Sequence, residues 1–429
     1  MANFSQLKLC PELLFTLEQL NYQHMSEIQQ KAIPVILAGE DVMAQAQTGT
    51  GKTAGFALPM IEKLRQPNSV ENYHNIRGLI LTPTRELAIQ VAEKTLSYGE
   101  QLGVRVVSVY GGVRFENQIR KMKRGADILV ATPGRLLEML IQKKFSLTHL
   151  EILVFDEADR MLDLGFIHDI NRIMSFAPKK RQTLLFSATY NDKIEHWAQQ
   201  VLNKPKKISV TPSNSVGKKV QQIAYKVDNS SKEEVLCYLI SSGKWKQTLV
   251  FTRTKKRADK VADFLLSENI NAVSIHGDKL QKDRISALSR FVNQEVDVLV
   301  ATDVAARGLD IEALPRVVNF DLPDQPEAYV HRIGRTARAG KTGQAISFVA
   351  PDERQHLLDI ETLIAKKLQF HSIPLLDKGK LISQKAQGIK QANNTKRKTA
   401  KLKYIAPPLD TPSTPALRPS LMSRAKKQK

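Results

Sequence analysis

Short apolar runs alternate with helix-length amphipathic stretches along most of this chain, and the alternation restarts once. In the first series, residues 79–81 (LIL), 106–109 (VVSV), 128–130 (ILV), 152–155 (ILVF) and 184–186 (LLF) read as strands. Helical patterns lie between them, which predicts a βα repeat and hence a parallel sheet. Ahead of the series, Leu13, Leu14, Leu17 and Leu20 share one face behind Pro11, predicting a helix with one buried side. Residues 211–219 (TPSNSVGKK) have no apolar rhythm and read as a linker. A second series follows at 248–251, 272–275, 298–300, 317–320 and 345–349. The expected fold class is therefore α/β, with two tandem parallel-sheet domains at 1–210 and 220–372. A basic tail at 373–429 reads as disordered, because the rhythm fades after His371 and residues 384–403 lead into a Pro-rich stretch. Two such sheets on a short linker form a cleft that can grip a ligand from both sides.

Composition narrows the setting. The 429 residues are 42% apolar, and no stretch approaches the ~20 consecutive apolar residues that span a bilayer. The start, MANFSQLKLC, lacks a basic segment followed by an apolar core, so no secretory signal is expected. Cys10 and Cys237 stand far apart and suggest neither a disulfide framework nor a zinc site, which fits a reducing cytoplasm. The net charge is +21, and residues 377–429 carry +12 of it, with 14 Lys and Arg against 2 Asp. Such a balance points to a polyanionic partner, nucleic acid above all, or else to a solubilising tail.

Two strings carry the chemistry. Ala46, Gln47, Thr48, Gly49, Thr50, Gly51, Lys52 and Thr53 form a phosphate-loop pattern, with Ala46 at the place of its first glycine. Backbone N–H groups of such a loop can cradle phosphates, Lys52 can reach the β and γ oxygens, and the Thr53 hydroxyl can ligate Mg²⁺. Residues 156–159 read DEAD directly after the apolar run 152–155, at the strand edge where open α/β sheets bind ligands. Asp156 is placed to hold Mg²⁺ and Glu157 to orient the attacking water. Arg335 and Arg338, in HRIGRTARAG (331–340), lie in the second series. A guanidinium arriving from another domain suits phosphoryl transfer, although a basic helix for nucleic acid or a solvated face reads equally well. Ser187 and Thr189 could tie the sheet edge to 156–159 or cap the next helix. PTRELA (83–88), Gly111–Gly112 and TPGR (132–135) each follow a strand, and together they suggest a groove that tracks a phosphate backbone.

These strings, in this order, resemble the DEAD-box ATP-dependent RNA helicases, and a stretch at 43–59 is most similar to the bacterial RhlE-type branch. The resemblance runs from about Phe4 to Phe348. It also takes in Gln29, TLVFTRT (248–254), Gln281 with Arg284, and ATDVAARGLD (301–310). It implies two RecA-like domains that close over ATP and Mg²⁺ on one side and single-stranded RNA on the other. By this resemblance Gln29 reads the adenine edge, Tyr22 stacks on its face, Asp310 binds the ribose, and Arg335 and Arg338 touch the γ-phosphate. Ser187, Thr189, Asp159 and His331 would couple hydrolysis to strand separation. RNA would be held by Thr84, Arg85, Gly112, Thr132 and Arg135 from the first domain, and by Arg253, Gly277, Gln281, Arg284 and Thr302 from the second. Asn21 and Met25 replace the family's Gly and Pro beside the adenine reader, and Ala337 replaces a Gly, which asks for an ordinary helical backbone there. The implied activity is local, non-processive remodelling of RNA duplexes and RNA–protein complexes, in ribosome assembly or RNA decay, with proteins of those processes as partners. Two rivals remain: a translocating DNA helicase, since phosphate contacts suit either polymer, and an ATP-gated RNA clamp that hydrolyses without unwinding.

Overall fold

The computed structural model describes residues 2–46, 49–65, 75–210, 220–306, 311, 314–337, 342–372 and the pairs 376–377 and 380–381. The linker at 211–219 and nearly all of the tail lie outside these residues. Seven strands make the first sheet: β1 (Val42–Ala46), β2 (Gly78–Leu81), β3 (Val106–Val109), β4 (Ile128–Ala131), β5 (Ile152–Asp156), β6 (Gln182–Ser187) and β7 (Lys206–Val210). Seven more make the second: β8 (Val220–Lys226), β9 (Thr248–Thr252), β10 (Ala272–Ile275), β11 (Val298–Thr302), β12 (Arg316–Asn319), β13 (Gly343–Val349) and β14 (Gln369–Phe370). The orders are β3-β4-β2-β5-β6-β1-β7 and β10-β11-β9-β12-β13-β8-β14. Counting from the first strand of each sheet, these are one and the same permutation, and every pairing in both is parallel.

A parallel strand is covered on both faces, so its run is apolar almost throughout. In β5, Ile152 and Val154 join one core cluster, while Leu153 and Phe155 join the other. Phe56 packs on Phe186 in the first cluster, and Phe155 meets Trp197 edge-on at 4.8 Å in the second. The predicted first helix is present at Pro11–Gln19, with Leu13 and Leu17 buried. Strands β7, β8 and β14 escape an apolar-run reading because they lie at or near sheet edges and carry Lys or Gln. The KKISV of β7 exposes both of its lysines. The predicted strand at 317–320 sits one residue earlier, so Phe320 follows β12. Among the described residues no helix is long and apolar enough to cross a membrane.

Candidate active site and nucleic-acid interface

The phosphate-loop segment leaves the end of β1 and enters the helix Lys52–Leu64. Gly51 takes φ +91°, a left-handed turn where a side chain is strained. A Cβ there would also come within 2.5 Å of Gln29 Nε2 and 3.0 Å of Ser26 Oγ. Gln29, itself buried, donates from Nε2 to Gly51 O (3.1 Å) and accepts at Oε1 from Ser26 N (2.8 Å). One amide hydrogen and one lone pair of Gln29 are left for a ligand. Tyr22 is half-buried, edge-on to Phe4 and Tyr98, with its hydroxyl 2.9 Å from that of Tyr98. Asn21 accounts for its own substitution, because it takes φ +58°, a region asparagine tolerates. Gln47, Thr48, Asp310 and Arg338 lie outside the described residues.

Among the described residues, two charged atoms at this edge are buried and have no hydrogen-bond partner: Lys52 Nζ and Asp156 Oδ1. Burial pushes the Asp156 carboxyl up to about 6, against the pull of Lys52 and with help from Glu157. A buried ion without a partner is costly, so such atoms mark where a charged group from outside belongs. An orphan ammonium beside an orphan carboxylate, under a glycine turn at a helix N-terminus, fits an anion accompanied by a cation. Thr53 follows Lys52 on the same first helical turn. Glu157 takes φ +56°, ψ +54°, a strained conformation for a residue with a side chain, at the start of the helix Ala158–Asp163.

The alternative of helix capping for Ser187 and Thr189 is overturned. The helix Asp192–Val201 is capped by Asn191, which accepts from Ile194 N. Instead, Thr189 donates from its hydroxyl (3.0 Å) and its backbone N (3.2 Å) to Asp159 Oδ2, and Ser187 Oγ donates to Thr189 O (2.7 Å). His331 lies half-buried in the last turn of the helix Pro326–Ile333, and Arg335 follows as a buried residue. The ordinary helical backbone expected at Ala337 is also overturned: its φ is +55°, the left-handed conformation that a glycine would take freely.

Along the first sheet's edge, three turns meet through two arginines. A Cβ on Gly112 (φ +78°) would fall 2.0 Å from Arg85 Nη1, so the guanidinium lies directly on the glycine pair. Arg135 donates to Val113 O (3.2 Å), pairs with Glu138 and sits 5.4 Å from the Phe115 ring centroid. Thr84 caps its helix by accepting from Leu87 N, whereas Thr132 makes no side-chain cap bond. On the second sheet, Arg253 follows β9, Gly277 lies just beyond β10 and Thr302 ends β11. Arg253 is held by Leu322 O, Glu353 and Asp324.

Gln281 and Arg284 are placed differently from the rest. Gln281 Nε2 donates to Glu86 Oε1 (3.0 Å) and Arg284 Nη2 pairs with the same oxygen (2.9 Å), all three residues buried. They bridge the two sheets. Sequence reasoning misses Glu86 as a site residue, yet a signal for it exists: an acid inside PTRELA, a string otherwise suited to phosphate. It misses a second group as well. Lys232, fully buried, pairs with Glu353 (2.8 Å) and Asp321 (3.2 Å), and Arg332 pairs with Asp303 (2.6 Å). These partners lie far apart in sequence, so no local pattern reveals them.

Comparison with known proteins matches this architecture. Residues 26–197 match the family description "DEAD/DEAH box helicase", and residues 231–340 match "Helicase conserved C-terminal domain". The DEAD-box ATP-dependent RNA helicase RhpA of Helicobacter pylori is 41% identical over 380 residues, 89% of this chain and 76% of its own. CshA of Geobacillus kaustophilus is 43% identical over 377 residues, 88% of this chain and 80% of its own. Among solved structures, Saccharomyces cerevisiae Dbp5 bound to RNA and ADP BeF3 superposes with a TM-score of 0.78 at 31% identity, over 86% of this chain and 96% of that one. A DEAD box protein from Methanococcus jannaschii is 36% identical over 86% of this chain and 99% of its own, with a TM-score of 0.50. The chain belongs to the DEAD-box ATP-dependent RNA helicases, enzymes that hydrolyse ATP, and its two sheets are tandem RecA-like domains.

Proposed function

We propose that ATP and Mg²⁺ sit at the first sheet's edge, and that closing the second sheet over them drives local, non-processive separation of short RNA duplexes. The observation that carries this reading is the orphaned pair, Lys52 Nζ and Asp156 Oδ1, beneath the Gly51 turn. On this reading Lys52 would meet the β and γ oxygens, and Thr53 and Asp156 would hold the metal, whose charge would favour the Asp156 carboxylate against the upward push of burial. Bound there, Mg²⁺ would supply positive charge against the phosphate oxygens. Glu157 orients the attacking water, Gln29 reads the adenine edge, and Tyr22 lies against the base. Asp310 takes the ribose, and Arg335 with Arg338 completes the site from the second domain.

The closed state is supported by the Glu86 bridge to Gln281 and Arg284. It is supported also by closer superposition on RNA-bound Dbp5 than on the more identical archaeal chain, which points to sheet placement as the difference. RNA phosphates then run over Thr84, Arg85, Gly112, Thr132 and Arg135, and on to Arg253, Gly277 and Thr302. Gln281 and Arg284 act by joining the domains. Thr189 on Asp159 carries the state of the DEAD segment to this edge. We read the enzyme as cytoplasmic, acting in ribosome assembly or RNA decay, with the basic tail adding RNA affinity. The RhlE-type branch rests on the 43–59 stretch alone.

Glu157→Gln tests the reading. ATP and RNA binding should persist while turnover collapses, and the complex with RNA should outlive that of the unaltered enzyme in the presence of ATP. Normal turnover would sink the assignment.

A further inference from the structure

The Gly111–Gly112 turn leads directly into the helix Phe115–Lys123, which plays no part in the site above. Its inner side is fixed. Gln118, buried, accepts from Tyr110 N (2.8 Å) and donates to Tyr110 O (3.0 Å), while Phe115, Ile119 and Met122 pack against the core. The helix is therefore anchored to the residue just before the glycine pair, and Arg135 reaches over its first residue.

Its outer side is cationic. Arg114, Arg120, Lys121, Lys123 and Arg124 are all exposed, with Glu116 the one acid on the helix. Helical spacing puts Arg120 and Arg124 on the face opposite Gln118 and Met122, with Lys121 and Lys123 flanking that face on either side. Neighbouring arginines of this domain are neutralised: Arg77 by Glu151, Arg105 by Asp127, and Arg135 by Glu138. None of the five cations at 114–124 is ion-paired among the described residues. Such a concentration of like charge repels itself unless a polyanion covers it.

We propose that this helix face is a second phosphate-binding surface. It is continuous with the RNA edge at Gly111–Gly112 and holds the backbone of RNA flanking the segment gripped between the sheets. The proposal rests on the RNA reading above and extends it along the strand. The cations at 120–124 lie within about 6 Å along the helix axis, and one duplex strand carries a phosphate about every 3.4 Å, so they can meet roughly two to three consecutive phosphates. Lysine and arginine on a solvent face contact phosphate without reading bases, so the surface adds affinity and leaves sequence choice unchanged.

The test uses the full chain and replaces Arg120, Lys121, Lys123 and Arg124 together by Gln, all exposed positions. Binding is measured over a salt series for a short single strand and for the same strand extended by a duplex. The short strand should bind unchanged. Affinity for the extended RNA should fall on the order of tenfold to a hundredfold at 0.1 M salt, and its salt slope should become shallower by roughly 0.7–0.9 for each phosphate that is no longer neutralised. Glu116→Lys, which adds a cation to the same helix, should strengthen binding of the extended RNA alone. An unchanged slope for the extended RNA overturns the proposal, as does loss of binding to an acidic protein with RNA binding intact. Equal losses on both RNAs overturn the flank assignment. Failure of the unaltered chain to bind either RNA would instead overturn the reading on which this one rests.

Discussion

The two sheets share one strand order and, at corresponding places, two of the same side chains. Lys52 opens the helix after β1, and Lys232 opens the helix after β8. Asp156 ends β5, and Asp321 stands two residues past β12, the strand at the same place in the second sheet. Both lysines are buried. In the first sheet the ammonium and a carboxylate oxygen have no hydrogen-bond partner among the described residues. In the second, Lys232 is paired with Asp321, and Glu353 brings a further carboxylate to the same ammonium. Glu353 also accepts from Leu322 N, Ala350 N and Arg253. An internal carboxylate thus fills, in the second domain, the role that the proposed reading gives to an incoming phosphate in the first. One scaffold yields a site where charge is left unmet and a strut where it is met.

The largest effect should come from the group that works across the two domains. Arg335→Ala should lower ATP turnover by ~10³–10⁵, as expected for an arginine that stabilises charge in phosphoryl transfer. Single-turnover rates and nucleotide affinity, measured together, check this. A loss of affinity matching the loss of rate would make Arg335 a ground-state contact and the second sheet more than a trigger.

Stability should separate the two lysines next. Lys232→Ala removes the buried ammonium shared by Glu353 and Asp321, leaving Arg253 as the one close cation on Glu353 among the described residues, and should cost about 3–5 kcal/mol in denaturant unfolding. Lys52→Met removes an orphan, so the nucleotide-free protein should be no less stable, while ATP binding is abolished. Equal destabilisation by the two changes would break the comparison.

Base reading should belong to the first sheet alone. Gln29 keeps one donor and one acceptor, which suit adenine; guanine offers two acceptors on the same edge. Gln29→Ala should cut the preference for ATP over GTP by about 1–3 kcal/mol, read from competition for the nucleotide site. No preference in the unaltered enzyme would show that the amide is spent on Gly51 and Ser26.

The smallest effect is expected at Ala337, between Arg335 and Arg338. Ala337→Gly should relieve a left-handed residue and raise stability by about 0.5–1 kcal/mol, read as a rise in melting temperature. A fall would mean that the stiffness of alanine there is used to aim the arginines.

Much of the site is legible in the sequence because its parts are short, local strings. The phosphate loop and DEAD each follow an apolar run, and a parallel sheet brings the ends of its strands to one edge whatever the loops between them. Thr189 on Asp159 is legible only as one of two choices, since a hydroxyl after a strand caps a helix as readily as it meets an acid; the geometry of Asn191 decides it. The Glu86 bridge is not legible as such. Gln281 and Arg284 enter only through the family resemblance, and nothing local in the sequence pairs them with an acid from the first sheet.

By itself the sequence determined the two sheets, the order of their strands along the chain, and which residue types could handle phosphate and metal. These follow from periodicity and from covalent neighbours. Only the tertiary structure decided which charges are met. The phosphate-loop string marks Lys52, but nothing near Lys232 in the chain shows how its charge is met, and its partners lie 89 and 121 residues away. Pairing of buried charges depends on distances of a few ångströms between distant segments, and packing alone sets them.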